Sequence, residues 1–157
     1  MKKTLHKDAD LRLNLHEVKH ELTKFPWPYK DSSVSELTCI HRLEHIPARL
    51  RIPFMEEVYR ILDKGASATF VTAYWTSPRS IQDPSAEWPP FCEQSFLYFN
   101  KGWRAINQLS EIKCDFDFTY GYDVDPETAA RNQESQTFWL KHYNNTATDL
   151  RVVLTKR

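Results

Sequence analysis

Glycine is nearly missing from this chain: 157 residues contain three, Gly65, Gly102 and Gly121, and none stands in the first 64 positions. Loops that cradle phosphates or dinucleotides need small residues so that backbone N–H groups can reach the ligand. No such loop is available here, so nucleotide binding through a glycine-rich turn is not expected.

The length suits one compact unit with its own core, and a single domain over 1–157 is expected, with 1–24 as a divergent N-terminal segment. Lysine plus arginine equals aspartate plus glutamate at 21 each. No excess of positive charge is left to neutralise phosphates or dock on an anionic bilayer, so neither nucleic acid nor a membrane is an expected partner. No apolar run approaches the roughly 20 residues of a membrane span, and "MKKTLHKDAD" has no hydrophobic segment to make a signal peptide. A cytoplasmic location is the expectation. Cys39, Cys92 and Cys114 are odd in number and widely spaced, fitting free, mostly buried thiols better than disulfides or a metal knuckle.

Hydrophobic periodicity predicts an α/β order. A short strand is expected near 11–15, although Leu11, Leu15, Val18 and Leu22 also recur at helical spacing. "KFPWPYKDSS" reads as a structured loop, because Pro26 and Pro28 favour extended or turn geometry. "SELTCIHRL" reads as a buried strand that stops at Pro47. Pro53 then suits a first helical position, with Phe54, Val58, Ile61 and Leu62 on one face, Glu56 and Arg60 as an exposed pair, and Lys64-Gly65 as the stop.

"ASATFVTAYW" is nearly continuous in apolar residues, the mark of a central strand covered on both faces. Strand, helix and strand in this order form a βαβ unit, whose ligands bind beyond the carboxyl ends of the strands. His41 to His45 and Trp75 to Arg79 lie at those ends. Residues 76–92 carry four prolines and are expected to cap the site. An amphipathic segment at 94–109, an alternating antiparallel strand in "EIKCDFDFTYGYD", a helix over about 126–142 opened by Pro126, and a last strand "DLRVVLTK" complete the chain.

His41, Glu44 and His45 have the residue types of an inverted zinc-protease motif, two histidines one helical turn apart beside a general-base glutamate. Their setting is a strand running into a loop, where positions four apart do not share a helix face. Histidines that pack and hydrogen-bond at a strand end are the favoured reading, and zinc hydrolysis is the weaker alternative. The aromatic clusters "FPWPY" and "EWPPFCEQSFLYF" serve either a pocket for a planar ligand or loop packing, packing being favoured. Arg79 and Asp83 are the charged pair of the capping loop. They read more readily as an Asp-Pro turn beside a solvated arginine than as substrate ligands.

Taken in order, "FPWPYKDSSVSELTCIHRLEHIP", "FMEEVYRILDKG", "ATFVTAYW" and "DPSAEWPPFCEQSFLYFN" resemble the class I S-adenosylmethionine-dependent methyltransferases over roughly residues 20–109. The resemblance implies a truncated Rossmann-like methyltransferase sheet, mixed with antiparallel C-terminal strands and flanked by helices. It implies that the "H.LEHI" stretch ends a strand beside the cofactor pocket and binds no metal. His41 and Glu44 become pocket-edge residues, and Glu21 stands where relatives place an acid that contacts adenine. Asp83 and Trp75 are the catalytic candidates.

The resemblance also defines departures. Relatives open with a strand, a Gly-x-Gly loop around the methionine part of the cofactor, a helix, and a second strand ending in an acid that holds the ribose. This chain has no room for them, although "LRLNL" is readable as a remnant of the first strand. The relatives' Asp-Pro-Thr-His loop reads Asp83-Pro84-Ser85-Ala86, without the histidine. A degenerate protein that binds or assembles without independent methyl transfer is therefore expected. The alternative is an active enzyme whose S-adenosylmethionine pocket is completed by an oligomer or a partner chain. In relatives the first strand sits beside the fourth, so its loss would bare a sheet edge around Leu37 and His41. A second copy, another subunit or the N-terminal segment is expected to cover it.

Overall fold

The computed structural model describes residues 10–13, 16–17, 20–109 and 111–157. Its frame is a six-stranded sheet in the order β2-β1-β3-β4-β6-β5. The strands are β1 (Asp10–Leu13), β2 (His16–Glu17), β3 (Val34–Ile40), β4 (Leu62–Ala73), β5 (Phe116–Val124) and β6 (Ala147–Lys156). Only β3 and β4 run parallel, joined by helix α1 (Ala48–Ile61), and every other neighbouring pair is antiparallel. This is the expected mixed α/β sheet, with β4 central.

The edge of β3 is taken by the chain itself. β1 pairs antiparallel with it, Asp10 opposite Ile40 and Leu13 opposite Leu37. The N-terminal segment is thus the cover along residues 37–40. Residues 14 and 15 of the expected strand lie outside the described residues. A Rossmann-like sheet would carry a parallel strand here; the reversed direction of β1 brings its first residue, not its last, to the carboxyl end of β3.

The two faces of the sheet differ. Directly paired residues project to the same side, so Cys39, Phe70, Val152 and Tyr120 form one row and Leu37, Ala68, Leu154 and Phe118 another. This side carries the core: Trp27 packs on Phe54, Phe54 on Phe70, and Phe70 on Phe96, with ring centroids 5.3 to 6.4 Å apart. Rows on the opposite side read Arg12, Thr38, Thr69, Val153, Thr119 and Glu36, Ser67, Thr155, Asp117. Ser67 and Thr155 hydroxyls lie 3.3 Å apart, and Arg12, Glu36, Asp117 and Thr119 are exposed. The expectation that "ASATFVTAYW" is covered on both faces holds over residues 70–74, all of them buried, and is corrected only at Ser67 and Thr69, where the far face of β4 is half-buried and polar.

Several boundaries also differ from the periodicity. Helix α1 begins five residues before Pro53, at Ala48, so this proline is interior. Gly65 does take a positive φ of 79°, but it lies inside β4, where the pairing with β3 shifts register between Val34 and Glu36. The helix has already ended at Ile61. Arg60 is not one of an exposed pair; it donates to the carbonyls of Trp27 and Tyr29 and to Glu57 and Asp31, pinning the "FPWP" loop.

The segment after the capping loop divides into a 3-10 helix, Glu93–Phe99, and α3 (Lys101–Ile106), because Asn100 caps Trp103 N–H at 2.9 Å. β5 starts only at Phe116, since the carbonyls of Ile112 and Cys114 accept from buried Arg104 rather than from a ladder. Between the end of β5 and β6 stand α4 (Pro126–Ala129) and α5 (Gln133–His142) rather than one helix, Asn132 capping the second through Ser135 N–H. With α2 (Arg79–Gln82) in the capping loop, these complete the α-helices of the described residues.

Candidate functional site

The carboxyl ends of β3 and β4 converge as the βαβ pattern requires. At the end of β3 the backbone turns sharply: His41 has φ 47°, a left-handed conformation uncommon outside glycine and enriched at functional positions. The turn places the imidazole over the sheet end, with His41 N–H still donating to Val71 C=O at 2.8 Å. The chain then forms a single 3-10 turn, Leu43–His45. The zinc-motif residues therefore do not sit on a helix face.

His41 Nδ1 donates to Glu44 Oε1 at 3.1 Å, while His45 Nδ1 donates to the carbonyl of Ser85 at 3.1 Å. Among the described residues no group of three histidines, cysteines or acids is arranged to hold a metal ion. The other side of His41 faces Asp149 on β6: Nε2 lies 4.0 Å from Oδ1, and Arg79 Nη1 donates to Oδ2 of the same carboxylate at 2.6 Å. Glu44, His41, Asp149 and Arg79 thus form a chain of alternating charge across three segments.

The hydrogen bond that His41 donates to Glu44 holds the His41 pKa above its ordinary value, against the opposing effect of burial. Burial pushes Glu44 upward, but the His41 contact and backbone hydrogen bonding outweigh it and the net shift is downward. Asp149 moves the other way: burial raises its pKa, and Arg79 and His41 only partly offset this.

The capping loop closes over this cluster. A crevice of about 370 Å³, its open mouth included, is lined by His41, Glu44, Arg79, Asp83, Glu87 and Phe91 among others. Its enclosed part has room for roughly one water molecule. Asp83 is buried, and its Oδ1 accepts from Ser85 N–H at 2.8 Å and Ser85 Oγ at 2.7 Å, the turn that the Asp-Pro step implies. Arg79 pairs with Asp149. Trp75 is 52% exposed, its N–H donating to Phe91 C=O at 3.1 Å.

The structure brings His41, Glu44 and Asp83 together around the crevice. It leaves Trp75 beside them with its side chain exposed, and Glu21 away from the lining, bonded to Lys24 at 2.8 Å and to Thr23. Two residues escaped the sequence reading. Asp149 is hidden at the start of an alternating strand, and Arg51 looks like one more helix-surface arginine. Arg51 is instead buried, donating to the carbonyls of Ile46, Glu87 and Pro89, with its guanidinium 4.3 Å from the Phe91 ring centre. The only hint was its place one helical turn before Met55, on the apolar side.

No protein-family model and no curated relative matches the sequence. Solved structures do match. An S-adenosylmethionine-dependent methyltransferase from Archaeoglobus fulgidus superposes with a TM-score of 0.61 at 12% identity, covering 88% of this chain and 66% of that one. The fold is that of the S-adenosylmethionine-dependent methyltransferases. The complex of a Haloferax volcanii methyltransferase with a methyltransferase activator matches at a TM-score of 0.53 and 13% identity, covering 88% of this chain and 60% of that one. The chain therefore spans less than two thirds of either protein's length. In this methyltransferase-like fold the crevice lies at the strand ends where α/β sheets bind ligands. None of the helices in the described residues is long and apolar enough to cross a membrane.

Proposed function

We propose that this chain is a degenerate methyltransferase-like protein, a single unit that acts as a binding or assembly subunit and does not transfer methyl groups by itself. The observation that carries this reading is the closed crevice. Ligand pockets measure about 300–1,000 Å³ and bury most of their ligand, whereas the enclosed space between His41, Glu44 and Asp83 accommodates roughly one water.

Two further observations support it. The position beside β3 is filled by an antiparallel strand, and with three glycines in all the chain has no Gly-x-Gly turn to approach a cofactor. Two rows of the sheet's far face are polar except at Val153, so that part of the face is suited to contact with water. A partner is expected to attach elsewhere; one structure of this fold is a methyltransferase held in complex with an activator.

The test is calorimetric titration of the folded chain with S-adenosylmethionine and S-adenosylhomocysteine. No saturable heat is expected from either compound. Saturable, stoichiometric binding would overturn the proposal and make Glu21, His41 and Glu44 cofactor-binding candidates again, with Asp83 and Trp75 as the groups to examine for catalysis.

A further inference from the structure

The sheet ends on an open strand. β5 is last in the strand order and pairs with β6 alone. Which of its backbone groups point outward follows from its surroundings. Asp115 C=O accepts from Arg157 N–H at 3.2 Å, on the β6 side, whereas Phe116 C=O accepts from Asn100 Nδ2 at 2.8 Å. Thr148 C=O accepts from Tyr74 N–H on the β4 side, so Asp149 turns its backbone to β5, where its partner is Asp123. Ladder bonds alternate along a strand. Asp117, Thr119, Gly121 and Asp123 therefore bond to β6, and the N–H and C=O groups of Phe118, Tyr120 and Tyr122 point away from the sheet. Asn100 closes this edge at Phe116, and no strand among the described residues continues the sheet beyond it.

Edges of this kind are guarded by lysine, proline, a bulge or uncompensated charge. Phe118 to Tyr122 carries none of these. The shift in register comes only at Asp123 and Val124. The two flanking acids are neutralised from the β6 side, Asp123 by Arg151 Nη2 at 3.1 Å and Asp117 by Arg157. The other face is aromatic: Tyr120 lies 6.3 Å from Phe118 and 5.8 Å from Tyr122 between ring centres, and is 52% exposed. Gly121 stands in the middle. A side chain there would meet nothing within 4 Å, so the surrounding fold does not demand glycine. Glycine inside a strand costs stability and often marks the close approach of another backbone.

We infer that β5 pairs antiparallel with β5 of a second copy of this chain, about a two-fold axis at Gly121, so that two six-stranded sheets become one. Self-complementarity selects the second copy, and charge selects the register. Centring the pair on Tyr120 would set Asp117 opposite Asp123 of the second copy. Centring it on Gly121 sets Thr119, a hydroxyl donor, opposite that aspartate. Tyr120 then lies opposite Tyr122 of the second copy, and the two-fold axis makes this aromatic contact twice. The outward N–H and C=O groups of both tyrosines are satisfied in the same step. The inference does not rest on the reading of the crevice.

Light scattering with sedimentation over a dilution series is expected to show a dimer in exchange with monomer. Tyr120→Pro removes an outward donor and leaves the bonds to β6 in place, and is expected to weaken the dimer at least about tenfold. Should that variant lose its near-UV circular dichroism, Tyr120→Lys places a guarding charge on the same exposed position and is read against the same outcomes.

The register is read by cross-linking in a Cys92→Ser background. Residues on the axis form a non-hydrogen-bonded pair with Cα atoms about 4.5 Å apart, within the reach of a disulfide. Mild oxidation is expected to link Gly121→Cys into a covalent dimer and to leave Thr119→Cys unlinked. A monomer at every concentration, a dimer that both Tyr120 variants leave intact, or linkage of Thr119→Cys as fast as Gly121→Cys would each overturn the inference.

Discussion

His41 Nε2 faces Asp149 Oδ1 across 4.0 Å, while the opposite ring nitrogen of His41 is bonded to Glu44. An imidazole held between two carboxylates ties stability to pH. A base whose folded pKa is raised stabilises the fold fully below its unfolded value, 6.5 for His41, and loses that contribution as pH rises through the folded value. Glu44, lowered overall, contributes above its ordinary 4.5 and loses its part as pH falls through the folded value. Glu44→Gln is expected to cost about 2 kcal/mol near pH 6 and less near pH 9. Urea midpoints at the two pH values measure this, and an equal loss at both would contradict it.

Arg79 is the cation that offsets the buried Asp149. Its side chain is 35% exposed, which discounts the effect of removing it, so Arg79→Met is expected to cost about 1–2 kcal/mol. Because burial raises the Asp149 pKa, the ionisation cost sets in as pH climbs from its unfolded value of 3.8 through the folded one. The loss should be larger at pH 7 than at pH 4, and Asp149→Asn in the same chain should recover part of it. Denaturant titrations of both variants decide.

Arg104 donates to three carbonyls, those of Tyr98, Ile112 and Cys114, and is 4% exposed. Arg104→Met strands these acceptors in the interior, with an expected loss of about 3 kcal/mol or more. Arg157→Met removes only an exposed pair with Asp117 and should leave the thermal midpoint unchanged. A similar shift for both variants would refute the distinction between buried and exposed arginine.

Thiol reactivity should follow burial. Desolvation pushes Cys114 up to about 12 and Cys39 further still, whereas Cys92 is only half-buried. At pH 8 an aromatic disulfide reagent is expected to modify Cys92 in the native protein, and all three cysteines in guanidinium. Rapid native labelling of Cys39 would show that β3 opens readily.

Leu13, 5% exposed, anchors β1 opposite Leu37. Leu13→Ala should cost about 2–3 kcal/mol. It should also promote association that depends on concentration, since a loosened β1 bares the β3 edge. Light scattering over a dilution series reads the second effect.

Much of the frame was legible because period and proline act locally. The alternation in "DLRVVLTK" and the apolar run in "ATFVTAYW" marked β6 and β4, and both ended within a few residues of the expected places. Boundaries failed where a distant side chain competed for the backbone. Arg104 withdraws the carbonyls of Ile112 and Cys114 from the ladder, and Asn132 divides what the pattern reads as one helix. Of the candidate crevice, His41 and Glu44 were legible as strand-end residues and Asp83 as part of the capping loop. Asp149 was not, because its partner His41 lies on a different strand and nothing local distinguishes an aspartate at the start of a strand.

By itself the sequence determined the α/β order, a parallel pair with its helical crossover, the absence of a glycine-rich cofactor turn and the strand ends where a site would form. Tertiary structure alone decided the direction of β1, the polar finish of the far sheet face, the pairing of Arg79 with Asp149 and the closure of the crevice by Arg51. The physical reason is range: helix and strand periods come from bonds between near neighbours, whereas burial, register and ion pairing arise only when segments far apart in the chain exclude water together.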